Sequence, residues 1–250
     1  MTDVSQQVRA ALRQQLKTDR LLGVQSAPMQ MPAAVTGGVV AETAQRSADA
    51  LDNGERLRVL DESSVQGCTK CGLSEGRTQT VFGQGSATAR LVFVGEAPGF
   101  EEDRQGKAFV GRAGQLLTKM IVAMGLSREE VFICNVLKCR PPGNRDPHAD
   151  EILACSSYLR EQLSIIDPEV LVALGSPAAK TLLNTAQSIG KLRGRFHDYF
   201  LSGETGVGKS IPLMPTYHPA YLLRSPSEKS KTWEDLQMVM ARLGLKVKRA

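Results

Sequence analysis

The chain has 250 residues, 42% of them hydrophobic and 23% charged, and carries a formal net charge of +5 at pH 7. That is enough for one ordinary α/β domain with an appendage and enough apolar content to bury a core. No apolar run is long enough to make a transmembrane helix, so no membrane partner is expected. The start, Met1 to Gln7, has no charged stretch followed by an apolar one and does not read as an export signal. The mild positive charge suits a polyanionic partner without establishing one, and from charge alone the basic residues between Arg224 and Arg249 read better as a solvated helix face and tail.

In chain order, Val4, Val8, Leu12 and Leu16 recur at four-residue intervals and predict a helix over residues 3–23, a candidate site for binding an unidentified protein partner. Residues 24–49 are rich in Ala, Gln, Ser, Gly and Pro and read as a flexible linker. The division expected is therefore 1–49, helix and linker, and 50–250, the folded domain, opening with a short helix over Asn53–Ser63. Four short apolar runs then read as buried strands: Arg90–Gly95, Val131–Leu137, Val170–Leu174 and Ile211–Tyr217, with Phe196–Leu201 as an accessory strand. Between them lie helical segments. One spans Gln115–Met124, closed by Gly125. A second is opened by Asp146-Pro147 and runs to Ile165, a third runs from Ser176-Pro177 to Leu183, and a last covers Lys231–Leu243. Alternating strands and helices predict a three-layer α/β/α fold around a central, mainly parallel, four-stranded sheet. In such folds ligands gather at the carboxyl ends of the strands, so the loops after Val94, Leu137, Leu174 and Tyr217 are the informative ones.

Five cysteines occur in a chain with no export signal, which favours metal ligation or burial over disulfides. Cys68 and Cys71 form a Cys-x-x-Cys pair, Cys139 follows the second strand and Cys155 lies on the next helix. Four thiolates so distributed suit zinc or an iron–sulfur cluster, and the spacing does not separate them. Cys155 shares a helical face with Ile152 and Leu159 and reads equally well as a core residue. Cys134 sits inside a buried strand and is read as core.

Four segments together resemble one known family. They are Gly95-Glu96-Ala97-Pro98-Gly99 with its continuation through Leu117, Cys134–Arg145, Leu174–Ala179, and Pro215–Arg224. In this order they are similar to the family-4 uracil-DNA glycosylases, and the resemblance spans roughly residues 50–245. It implies removal of uracil from single- or double-stranded DNA by hydrolysis of the N-glycosidic bond, as the first step of base excision repair. It also implies a structural [4Fe-4S] cluster on Cys68, Cys71, Cys139 and Cys155. The lack of an export signal or apolar span predicts a cytoplasmic location, and a monomer is expected. One departure is Ala108 before Phe109, where the family usually has proline, which predicts a looser loop around Phe109.

The resemblance also implies the site. Uracil buried in a duplex must be extruded into a pocket. Asn135 is expected to pair with uracil O4 and N3–H, an edge that cytosine presents in reverse. Phe109 is the expected stacking platform, His218 the donor to uracil O2, and Glu96 a group that orients water or stabilises the cationic sugar. The backbones of Gly95 and Ala97 are expected to line the pocket, Leu222 to fill the space left by the flipped base, and Arg224 to contact phosphate. A non-catalytic iron–sulfur DNA-binding module is the rival reading. Binding alone needs none of Glu96, Asn135 and His218, and all three are present. Gly203–Ser210 matches the phosphate-loop pattern letter for letter, yet an apolar strand with Pro212 and Pro215 follows it where a phosphate loop needs a helix, so it reads as a turn.

Overall fold

The structure is a computed structural model that describes residues 52–246. The helix and linker expected over residues 1–49 lie outside the described residues. Helix α1 spans Asn53–Leu60 and widens into a π-helical turn over Asp61–Val65. A short α2 covers Leu73–Gly76. Then follow β1 (Gln84–Gly85), β2 (Leu91–Gly95), α3 (Phe100–Gln105), α4 (Arg112–Ala123) and β3 (Phe132–Asn135). After them come α5 (Ala149–Ile166), β4 (Val170–Leu174), α6 (Ser176–Leu183), α7 (Ile189–Leu192), β5 (His197–Phe200) and β6 (Ser210–Thr216). The described part ends with α8 (Pro219–Arg224) and α9 (Lys229–Arg242).

The sheet order is β1-β3-β2-β4-β6-β5. Strands β3, β2, β4 and β6 are parallel, in the register Phe93↔Ile133, Phe93↔Val172 and Val172↔Met214. They are the four strands read from the sequence. The sheet nevertheless has six strands, because β1 pairs antiparallel with β3 and β5 antiparallel with β6. Every residue of β2 and β4 is buried, which is why both read as unbroken apolar runs. Alternate side chains feed two cores. Leu91, Phe93, Val172 and Met214 pack with Leu117 and Ile121 of α4 and Leu236 and Val239 of α9. Val92, Val94, Leu171 and Leu213 pack with Leu57 of α1, Leu159 and Leu163 of α5 and Ala179 of α6. The three-layer arrangement is thus present.

Helix α4 begins at Arg112, three residues before the expected start. The N-cap of α5 is His148, not Asp146. Glu151 explains the shift: its carboxylate accepts the His148 backbone N–H at 2.8 Å and the Arg145 guanidinium at 2.5 and 2.9 Å. The reciprocal bond of a capping box then forms two residues later than Asp146-Pro147 suggests. The Gly203–Gly208 segment joins the antiparallel strands β5 and β6, and Lys209 pairs with Asp167, so the phosphate-loop letters encode a hairpin turn.

The topology places the site. The chain leaves β2 for α4 on one face of the sheet and leaves β4 for α6 on the other, although β2 and β4 are neighbours. Oppositely directed exits open a crevice at the carboxyl ends of these strands.

Candidate active site

The crevice is built from the loops after β2, β3, β4 and β6. Beyond the end of β2 the ladder continues for two more bonds, from Val136 N–H to Gly95 O and from Leu137 N–H to Glu96 O, each 2.9 Å. They lock the β2 loop to the end of β3 and so bring Glu96 beside Asn135. Gly95 is a glycine for a steric reason. A Cβ there would lie 2.3 Å from Asn135 Oδ1 and 2.6 Å from Phe109 Cζ. The missing side chain leaves a slot bounded by an amide and a phenyl ring.

Asn135 is 2% exposed, and its Oδ1 is buried without a hydrogen-bond partner. A buried orphan acceptor costs about 1–3 kcal/mol, so the position is poised for an incoming N–H. Its backbone carbonyl accepts from Lys138 Nζ at 2.8 Å. The same ammonium donates to Gln162 Oε1 at 2.6 Å, and Gln162 Nε2 donates to Phe82 O at 2.9 Å. Lys138 itself is 1% exposed, so this end of β3 is braced from within.

Phe109 has a left-handed backbone, φ 53°, and its ring centroid lies 5.7 Å from that of His218. The looser loop expected from Ala108 is not what the structure shows. Ala108 is fully buried, and its carbonyl accepts from Arg128 at 2.8 Å. Gly114, in the first turn of α4, presses so closely that a Cβ would come within 1.8 Å of Phe109 O. Two further bonds come from Glu102, whose carboxylate accepts the N–H groups of Val110 and Gly111.

His218 is the N-cap of α8, and its Nδ1 accepts the Ala220 N–H at 3.1 Å. That bond fixes the neutral tautomer with the proton on Nε2. Burial, helped by the Arg224 charge and opposed by Glu102, pushes the imidazole down to about 4. Gly175, φ 92°, gives it room, since a Cβ there would lie 2.9 Å from His218 Cβ. The Glu96 carboxyl is half-buried and pushed up to about 7 by burial, with the negative Asp146 acting in the same direction.

A cavity of ≈ 550 Å³ opens in front of these groups, lined by Glu96, Gly175, Ser176, His218, Tyr221 and Arg224. Glu96 also borders a neighbouring cavity of ≈ 390 Å³ that reaches Asp146 and Lys180. Asn135 and Phe109 lie deeper, at 2% and 6% exposure. The structure therefore gathers Gly95, Glu96, Phe109, Asn135 and His218, with Arg224 exposed at the rim. One of these expectations changes. Leu222 is 1% exposed and faces inward, so it cannot act as the wedge; on α8 the outward apolar groups are Tyr221 and Leu223. The Ala97 side chain packs against the core on the α5 side, which leaves its backbone for a ligand, in line with the sequence reading. Sequence reasoning missed Glu102, Arg128, Asp146 and Lys138. Only Glu102 left a signal, as an acid lying a fixed distance before Val110-Gly111 inside the first motif.

Away from the crevice, Cys68, Cys71, Cys139 and Cys155 line one cavity together with Val65, Leu73 and Leu137. Cys134 points elsewhere, into the core between sheet and α5. The Arg77 guanidinium donates to Cys139 Sγ at 3.2 Å, and the Lys138 backbone N–H to Cys155 Sγ at 3.3 Å. Among the described residues no three ligating side chains converge on a point that a single ion could occupy. The four sulfurs are arranged around a space, with donors on two of them.

Comparison with known proteins agrees with this geometry. The Uracil DNA glycosylase superfamily profile matches residues 82–237. The chain is 45% identical to the Type-4 uracil-DNA glycosylase of Saccharolobus solfataricus over 193 residues, 75% of this chain and 86% of that protein. It is 46% identical to the Type-4 uracil-DNA glycosylase of Thermotoga maritima over 174 residues, 69% of this chain and 86% of that one. A Type-5 uracil-DNA glycosylase of Pyrobaculum aerophilum is 34% identical over 153 residues, covering 55% of this chain and 64% of the relative. With its superfamily segments seated around one crevice, the chain belongs to the uracil DNA glycosylase superfamily and, within it, to the type-4 uracil-DNA glycosylases.

Proposed function

We propose that the chain excises uracil from DNA by hydrolysing the N-glycosidic bond, and that the residues around the Gly95 slot carry out the reaction. The observation that carries this reading is the orphan Asn135 Oδ1 next to Phe109 and a neutral, oriented His218. The uridine is flipped out of the strand, and its base enters the slot against the Phe109 ring. Asn135 accepts N3–H on Oδ1 and donates from its amide nitrogen to O4. His218 Nε2–H donates to O2. As the bond from C1′ to N1 breaks, the electron pair stays on the uracil, and the His218 and Asn135 donors stabilise the growing negative charge. The positive sugar faces the Glu96 carboxylate. Water adds to C1′ and releases a proton, leaving free uracil and an abasic site. Tyr221 and Leu223, 36% and 39% exposed, are the groups of α8 able to fill the vacated stack, and Arg224 at the rim is suited to a phosphate.

We also propose that Cys68, Cys71, Cys139 and Cys155 hold a [4Fe-4S] cluster. Four cysteine sulfurs lining one cavity, with donors on two of them, support a four-thiolate site, and the resemblance to the type-4 family supports iron–sulfur over zinc. The bound group would supply a covalent clamp joining the Cys68–Cys71 segment to the β3 loop and α5. Cys139→Ala is expected to abolish visible thiolate–iron absorbance and lower the thermal midpoint, and stoichiometric zinc without iron in the wild type would refute the assignment.

The test of the activity is direct. Purified protein is incubated with uracil-containing oligonucleotides, single- and double-stranded, and treated with alkali. Cleavage at the uracil position is expected; intact strands would sink the reading.

A further inference from the structure

We infer that Glu102 is a positioning residue for the base-stacking ring: it holds the loop of Phe109 by its backbone and so sets where the ring stands in the slot. This rests on the stacking role proposed for Phe109.

Helix α4 begins at Arg112, and its N-cap, Gly111, has no side chain to satisfy the first N–H groups. Glu102, on α3, instead ties down the two residues that lead into the helix, from eight and nine residues upstream. Its Oε1 accepts the Val110 N–H at 2.9 Å and the Gly111 N–H at 3.0 Å. An anion is also favoured at that helix end by the backbone dipoles. Among the described residues no cation forms a salt bridge with Glu102, so these N–H groups are its work. The position matters because Phe109 immediately precedes the pair it binds and sits in the left-handed region, φ 53°, where a phenylalanine stays only if its surroundings hold it. Gly114 blocks the Phe109 backbone on one side and Arg128 ties the Ala108 carbonyl on the other. Glu102 closes the remaining side. Its own helix follows directly from the β2 loop that carries Gly95 and Glu96, so one carboxylate couples the two walls of the slot. Asp103, its neighbour, faces the other way and accepts the Thr78 N–H and hydroxyl at 2.9 and 2.7 Å, which anchors α3.

A double-mutant cycle tests the inference, with uracil release measured under single-turnover and steady-state conditions on the full chain. Glu102→Ala is expected to lower kcat/KM about tenfold or more, as loss of one base–aromatic stack would. Phe109→Ala should show a loss of similar size. In the Phe109→Ala background, adding Glu102→Ala should change kcat/KM by less than about twofold, because the ring it positions is gone. Glu102→Gln keeps one amide oxygen as acceptor and should recover part of the activity. Thermal midpoints of all variants are recorded, and Glu102→Gln serves if Glu102→Ala does not fold. Multiplicative losses in the double mutant would overturn the inference while leaving the stacking role intact. Full activity of Phe109→Ala would remove the stacking role and the inference with it, whereas a wild type that releases no uracil would defeat the function itself.

Discussion

Replacing His218 by alanine is expected to lower kcat by about 10²–10³-fold, the usual effect of losing one preorganised donor to a developing anion. KM should change little, because the bond strengthens as the leaving uracil gains charge and adds little in the ground state. The structure makes the prediction sharper than a bare histidine would. Nδ1 is occupied by the Ala220 N–H, so only Nε2–H is free to donate. With its pKa pushed down to about 4, the ring is neutral at and around neutral pH. His218 is also the cap of α8, and losing that acceptor costs about 0.5–2 kcal/mol of stability. Asparagine at 218 separates the two roles: its side-chain oxygen can still cap the helix, while the ring donor is gone. His218→Asn should therefore regain thermal stability and remain slow. A His218→Ala enzyme with unchanged single-turnover rate would exclude the donor role.

The second large effect is on pH. The Glu96 carboxyl is pushed up to about 7 by burial and by Asp146. If its ionised form faces the cationic sugar, kcat/KM must rise with pH through about 7 and level off above it, since the group is deprotonated on the alkaline side. Two pH units below that midpoint roughly 1% is ionised, so activity there should be about a hundredfold lower than on the plateau. His218, already neutral over this range, adds no second limb. Glu96→Gln should flatten the profile at a low rate. A profile that falls as pH rises through the same midpoint would mean that Glu96 works protonated, and the electrostatic role would be lost.

The parts of the fold legible in the sequence are those whose burial is uniform. Strands β2 and β4 are buried at every residue and read as apolar runs almost to the residue. Strand β1 is only Gln84-Gly85, with no apolar pattern to read. Helix α3 is six residues of mostly charged sequence, and α8 opens with His218-Pro219, which reads as a loop. Asp146-Pro147 looks like a cap because the competing bonds to Glu151 form only in three dimensions. The site follows the same logic. Glu96, Asn135 and His218 sit at strand ends, where chemistry is expected, and family resemblance supplies their roles. Leu222 misled because a helix as short as α8 shows no periodicity to tell which of Tyr221, Leu222 and Leu223 faces inward. The pKa of Glu96 and the orphan oxygen of Asn135 depend on neighbours far away in sequence, so neither could be read from the letters.

The two antiparallel strands at the margins of the sheet have a consequence for how the protein survives at high concentration. A parallel core left with bare margins would offer rows of free N–H and C=O groups to any passing chain. Here the final strand on one side is two residues long, and that on the other is four, with the charged Asp198 exposed along it. Such short borders give a neighbouring polypeptide almost nothing to pair with. Among the described residues the fold thus offers little edge for strand-by-strand association, while the crevice at the carboxyl ends of β2 and β4 stays open.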